Sequence, residues 1–142
     1  MQVYEGNQPY IFVSYAHKDR AEVLPILEAM KARGFRIWYD DGTEASYLFA
    51  QTIEAKLRDA ACVLAFASRV SLNSRSCADE IGMAIAAHKQ ILLAFLEPIQ
   101  TEGEILYSNY IRVRPYGAYE SAEAFAFALA EEPLFAACCD TL

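Results

Sequence analysis

Cysteine, histidine and glycine are scarce in this chain of 142 residues, at four, two and six copies. Cys62, Cys77, Cys138 and Cys139 form no Cys-x-x-Cys pair, and His17 and His88 lie far apart, so no metal-binding spacing is present. The thiols read as reduced cysteines of a cytoplasmic protein. No apolar run nears the ~20 residues that span a bilayer; Ile91–Leu96 is among the longest. Met1–Gly6 lacks a basic region followed by an apolar stretch, so no secretory signal is expected. Positive charge is also short: 12 Lys and Arg against 19 Asp and Glu leave a net charge of −7. That balance speaks against nucleic-acid binding, which needs cations to neutralise phosphates. An anionic ligand would have to be held by local groups.

What the chain does have is material for a core. Hydrophobic residues make up 55% of it, which excludes disorder, and its length fits one domain over 1–142. Residues 1–9 read as a loose leader, 10–98 as the core that bears the motifs, and 99–142 as a more weakly patterned C-terminal part. Tyr10–Ser14 is a short buried strand. Asp19 can cap a helix whose apolar positions Val23, Leu27 and Met30 recur at helical spacing, with Pro25 early in it and Gly34 at its end. Phe35–Tyr39 reads as a second strand and Asp40–Ser46 as a polar loop. Phe49, Ile53 and Leu57 mark the inner face of a second helix.

Cys62–Ala67 is a third strand, apolar throughout, as expected when both its faces are covered. Ser68–Arg75 reads as a loop, Ser76–His88 as a third helix and Ile91–Leu96 as a fourth strand. Ile111–Val113 reads as a fifth, edge-like strand. Ser121 can cap a last helix carrying Phe125 and Leu129. Strands alternating with helices at this interval imply a parallel sheet built from βαβ units, doubly wound with helices on both faces. Ligands of such sheets sit beyond the carboxyl ends of the strands. Here those ends open into Ser14–Lys18, Asp40–Ser46 and Ser68–Arg75.

Several doubly wound functions are excluded at those loops. A dinucleotide fold or a Walker loop needs glycines after the first strand, and Ser14-Tyr15-Ala16-His17-Lys18 has none. A phosphate-receiver domain wants an acidic pair after the first strand and an acceptor aspartate after the third, where Ser14 and Ser68 stand instead. No Gly-x-Ser-x-Gly elbow marks a serine hydrolase.

Three segments remain: Phe12-Val13-Ser14-Tyr15-Ala16, Ile37-Trp38-Tyr39-Asp40-Asp41-Gly42 and Ser74-Arg75-Ser76-Cys77-Ala78-Asp79-Glu80. On a helical wheel at ~100° per residue, Cys77, Ile81, Ala84, Ile85 and His88 form a buried stripe. Glu80 falls on its margin, one turn after Ser76, and Asp79 points to solvent.

In order and spacing the three segments resemble the TIR (Toll/interleukin-1 receptor) family, from about Tyr10 to about Pro98. The resemblance implies a flavodoxin-like, mostly parallel five-stranded sheet. It also implies an NAD-cleaving enzyme in which the glutamate of Ser-x-x-Cys-x-x-Glu, here Glu80, is catalytic. NAD+ would be the substrate, with no further cofactor and no metal. Ser14 and Tyr15 would contact it; Trp38, Asp40 and Asp41 would shape its pocket, beside Ser76 and Cys77. Lys18, Arg20, Arg69 and Arg75 could answer its phosphates.

The chemistry suits a single carboxylate. The nicotinamide nitrogen is positively charged while bonded to ribose and leaves as a neutral ring, so no acid is needed. Oxygen glycosides ordinarily require a second carboxyl group for that proton. One carboxylate can stabilise the oxocarbenium-like charge that develops. The products would be nicotinamide and ADP-ribose or a cyclic ADP-ribose isomer. Antiphage signalling through a separate effector, and self-association through TIR–TIR contacts, belong to the same family context. Two departures stand out. Ser76 occupies a place where many NAD-cleaving members carry an aromatic residue. Thr43 and Ser46 replace an aliphatic residue and a glycine usual in the acidic loop. A non-catalytic interaction module and a mimic of host signalling are the alternatives.

Overall fold

The computed structural model describes residues 3–40, 47–98, 111–114 and 120–140, without the side chains of 47–50 and 112. Five strands form one sheet: β1 (Ile11–Ser14), β2 (Ile37–Tyr39), β3 (Cys62–Ala67), β4 (Ile91–Phe95) and β5 (Ile111–Arg114). Their order is β2-β1-β3-β4-β5, and every neighbouring pair is parallel. This is the flavodoxin-like order of a doubly wound α/β domain.

Period-two alternation along the strands sorts the core into two layers. Ile11, Val13, Ile37, Tyr39, Leu64 and Phe66 face the side covered by α1 (Arg20–Arg33) and α5 (Ala122–Leu129). There they meet Val23, Leu27, Met30, Phe125 and Leu129. Phe12, Trp38, Val63, Ala65, Ile91 and Leu93 face the other side, covered by α2 (Tyr47–Asp59) and α4 (Arg75–Ala86), where Leu57 and Ala84 close the layer. A strand buried on both faces needs no polar positions, which explains the unbroken apolar run of β3.

The structure departs from the sequence-based boundaries at places with local causes. β2 begins at Ile37 because Phe35 pairs instead with Cys139 in an antiparallel bridge, and the Arg36 N–H donates to the Cys138 carbonyl at 2.7 Å. The stretch after β3 is not all loop. Ser68 and Ser71 form a reciprocal capping box around the one-turn helix α3 (Arg69–Leu72). α4 starts at Arg75, capped by Ser74, and ends at Ala86. His88 lies beyond that end with a φ of 59°. It is exposed rather than part of the buried stripe. A further one-turn helix, α6 (Pro133–Ala136), follows α5.

One cation binds the segments entering β1 and β2 to the C-terminal segment. Arg36, 8% exposed, donates to the Pro9 carbonyl at 2.7 Å, to the Ala137 carbonyl at 2.8 Å and to the Asp140 carboxylate. The Asp140 N–H donates to the Gly34 carbonyl, and the Tyr4 N–H to that of Ile37, both at 2.8 Å. Both tails of the described chain are thus fixed at the edge opposite the carboxyl ends of the strands. Among the described residues no helix is long and apolar enough to cross a membrane.

Gly34 closes α1 with a φ of 107°, its N–H donating to the Lys31 carbonyl at 2.9 Å. A side chain strains that left-handed backbone. Gly34→Ala is therefore expected to lower stability by about 1–2 kcal/mol, read as a reduced urea midpoint at unchanged slope.

Candidate functional site

At the carboxyl end of β1, alternation turns Ser14 toward the α4 side of the sheet. There its hydroxyl donates to Glu80 Oε1 at 2.7 Å, linking residues 66 positions apart. Ser14 is 3% exposed and Glu80 is half-buried. Burial pushes the Glu80 carboxyl up from 4.5 to about 7. The Ser14 hydrogen bond pulls against that rise, while the negative charges of Asp40 and Asp79 add to it. The carboxyl group is thus close to half-ionised at neutral pH, as suits a group that handles charge or protons in a site.

Cys77 lies one turn earlier on α4, 5% exposed. Burial pushes its thiol up, with the Ser74 and Ser14 hydroxyls partly offsetting this. It is a neutral thiol packed beside the carboxyl group, without the thiolate a nucleophile requires. Ser74 sets the start of α4 by accepting from the Cys77 N–H at 3.3 Å. Ser76 is exposed on the first turn.

An open cleft of about 640 Å³ lies along these loops. Tyr15, His17, Lys18, Arg69, Ser76 and Cys77 are on its wall. Glu80 is not on that wall. It stands one turn beyond Ser76 and is hydrogen-bonded to Ser14, whose neighbour Tyr15 is on it. A contact between distant segments holds two of these loops together. Asp19 begins α1, but its side chain makes no capping hydrogen bond; its carboxylate accepts instead from the Ser68 hydroxyl. That bond joins the turn after β1 to the one after β3. The Ser-x-x-Ser spacing of Ser68 and Ser71 was the sequence signal for this capped turn.

The other sequence-derived residues separate into two groups. Tyr15 is 6% exposed, and its hydroxyl donates to the Asp40 carbonyl at 2.8 Å. His17 Nε2 lies 3.5 Å from Asp40 Oδ2. Tyr15, His17 and Asp40 therefore tie the β1 loop to the end of β2, near Glu80. Trp38 belongs to the core: it is 4% exposed and stacks on Phe12 with ring centroids 5.5 Å apart. Tyr39, on the opposite face of β2, is equally buried at 4%, within the layer covered by α1 and α5. Asp41, Thr43 and Ser46 lie outside the described residues. Of the basic residues, Lys18 and Arg69 reach the cleft wall. Arg69 is engaged by the Glu97 carboxylate. Arg20 and Arg75 are exposed and are not on the wall. Among the described residues, no cluster of three or more His, Cys, Asp or Glu could hold a metal ion.

Comparison with known proteins gives one family and one type of fold. The TIR domain profile matches residues 11–128. The solved CMP N-glycosidase of Clostridium botulinum superposes with a TM-score of 0.55 at 16% identity, covering 86% of this chain and 98% of that one. At that identity the likeness is one of fold. No curated protein matches the chain in sequence.

Glu80 also leaves a mark on stability. Between pH 4.5 and about 7 the folded chain retains a proton that the unfolded chain has released. Stability therefore falls as pH rises through that window and is level above it. The penalty at pH 8 is up to roughly 3 kcal/mol. Glu80→Gln keeps an acceptor for Ser14 and removes the charge. It is expected to be more stable than wild type at pH 8 and indistinguishable at pH 4, as measured by urea unfolding at the two pH values.

Proposed function

The chain belongs to the TIR domain family, and from that premise we propose that it is an NAD+ glycohydrolase or cyclase with Glu80 as its catalytic carboxylate. The observation that carries the proposal is the half-buried carboxyl group of Glu80, held by Ser14 at 2.7 Å beside a cleft at the carboxyl ends of the strands. In the reaction the bond between ribose C1′ and the nicotinamide nitrogen breaks, and its electron pair leaves with the neutral ring. Positive charge develops on the ribose ring oxygen and C1′, and the ionised Glu80 stabilises it at close range in a water-poor setting. Water capture at C1′, with loss of a proton, gives ADP-ribose. Capture by a nucleophile within the same molecule gives a cyclic isomer.

A net charge of −7 repels an anionic dinucleotide at long range, so its phosphates depend on local cations. Lys18 on the cleft wall is the best placed; Arg69 is the second, once released from Glu97. The proposal extends, by family context, to action in an assembled form through TIR–TIR contacts and to antiphage signalling in the cytoplasm, with any cyclic product read by a separate effector.

A second reading has its own support. The superposing structure is that of an N-glycosidase acting on a nucleoside monophosphate, and Glu80 holds a proton unusually well. A protonated Glu80 could donate to a pyrimidine leaving group, which, unlike nicotinamide, departs poorly as an anion. The two readings predict opposite pH limbs. Stabilising charge needs the carboxylate, so NAD+ cleavage is expected to rise with pH through about 7. Proton donation needs the acid, so base release from CMP would fall across the same range.

The test is nicotinamide release from NAD+ at several protein concentrations and at pH 5.5–8.5. Wild type is expected to release it and Glu80→Gln to lose at least about a hundredfold in kcat. Absence of release at every concentration, with CMP also uncleaved, leaves a TIR interaction module. Lys18→Glu is expected to raise KM by on the order of tenfold with kcat little changed, as for a residue that binds ground and transition states alike.

A further inference from the structure

We infer that Ser14 is a positioning residue that gives the two oxygens of Glu80 different tasks: Oε1 is anchored to the sheet, and Oε2 is left to meet the substrate. The inference rests on the catalytic reading of Glu80 and takes Ser14 out of the set of residues that touch NAD+. A serine hydroxyl has one proton to donate. Here it is directed at Oε1 at 2.7 Å, within the short range of a charge-assisted O–H···O⁻ bond, with the Cys77 sulfur as the weaker competing acceptor beside it. At 3% exposure, Ser14 has little surface with which to reach a ligand. Among the described residues no other hydrogen bond to Glu80 is found, and Oε2 has no partner among them.

The backbone makes the anchor rigid. Ser14 is the last residue of β1, an interior strand of the sheet, and is paired with Ala65 of β3. Its alternation toward α4 is fixed by Phe12, which is fully buried on the same face. A glutamate on a helix otherwise samples several rotamers about its rotatable bonds. One strong bond from a strand paired on both sides favours a single arrangement, as supporting residues do around reacting groups elsewhere. When Glu80 takes up a proton, the occupied Oε1 directs that proton to Oε2. Protonation therefore blocks the oxygen that the substrate needs.

The charged and titratable groups around Glu80 come from each adjoining element. Asp40 follows β2 and has His17 of the β1 loop 3.5 Å away. Asp79 and Cys77 share α4 with Glu80. The two aspartates favour the protonated form and only the Ser14 hydrogen bond opposes them. Removing that hydroxyl has a defined direction: the carboxyl should hold its proton to higher pH.

The experiment titrates Glu80 directly in the folded chain by carboxyl carbon NMR of protein labelled at glutamate, with Glu80→Gln to identify the signal. Wild type, Ser14→Ala and Ser14→Thr are compared, each checked for native amide shifts. Ser14→Ala is expected to raise the midpoint by at least half a pH unit, and Ser14→Thr, which keeps the hydroxyl, to return it toward the wild-type value. In turnover, Ser14→Ala is expected to lower kcat roughly tenfold or more, with KM within about twofold, and to move the pH profile in step with the midpoint. An unmoved or lowered midpoint in Ser14→Ala overturns the positioning role, and so does a raised KM at unchanged kcat, which would make Ser14 a substrate contact. The titration needs no turnover. A chain that cleaves nothing yet shows the shift disproves the catalytic reading of Glu80 and leaves Ser14 as its anchor.

Discussion

A hydrogen bond between a hydroxyl at the end of the interior strand β1 and a carboxylate on a helix 66 residues later is the constraint around which this molecule is arranged. It fixes the distance between β1 and α4 at the rim of the sheet. It also requires a charged group to sit where the surrounding atoms hold it poorly. The raised proton affinity of Glu80 is the measure of that conflict, with burial as its largest cause. A carboxylate in open water would be ionised and hydrated, with little to offer a developing cation. One sunk into the core without a donor would stay protonated. The Ser14 hydroxyl holds Glu80 between these limits, at the cost of some stability, as functional sites commonly do.

The rest of the rim keeps that bond in register. Tyr15 reaches across to the Asp40 carbonyl, and Ser68 reaches across to Asp19. The loops after β1, β2 and β3 are thereby joined pairwise, and each joint uses a residue next to a strand end. Parallel strands bring such ends to one edge, so a few short polar side chains suffice. α4 then begins at its Ser74 cap, and its first turn carries Ser76 and Cys77 to the cleft wall while Glu80 drops behind them.

How much of this was legible in the residues alone differs by level. The sheet was legible because strands covered on both faces leave uninterrupted apolar runs; Cys62–Ala67 was recovered to the residue. The marginal position of Glu80 and the exposure of Asp79 followed from helical periodicity. What escaped depended on contacts between distant segments. Asp19 looked like a helix cap because capping is a local pattern, but its real partner is Ser68, 49 residues away. His88 looked like an inner-face residue because periodicity cannot show that the helix has already ended at Ala86. Trp38 and Tyr39 point to opposite faces of β2, and only the tertiary packing shows both to be enclosed, Trp38 in the layer under α2 and α4 and Tyr39 in that under α1 and α5. That Ser14 serves Glu80 rather than a ligand is likewise invisible in a motif, which records which residues recur but not which of them touch.

The clasp at Arg36 has a practical consequence for handling the protein. Pro9, Ala137 and Asp140 converge on one guanidinium at the amino edge of the sheet, the far side from Ser14 and Glu80. A tag, a surface tether or a fused partner joined at either end of the described chain is launched away from the cleft and leaves its mouth unobstructed.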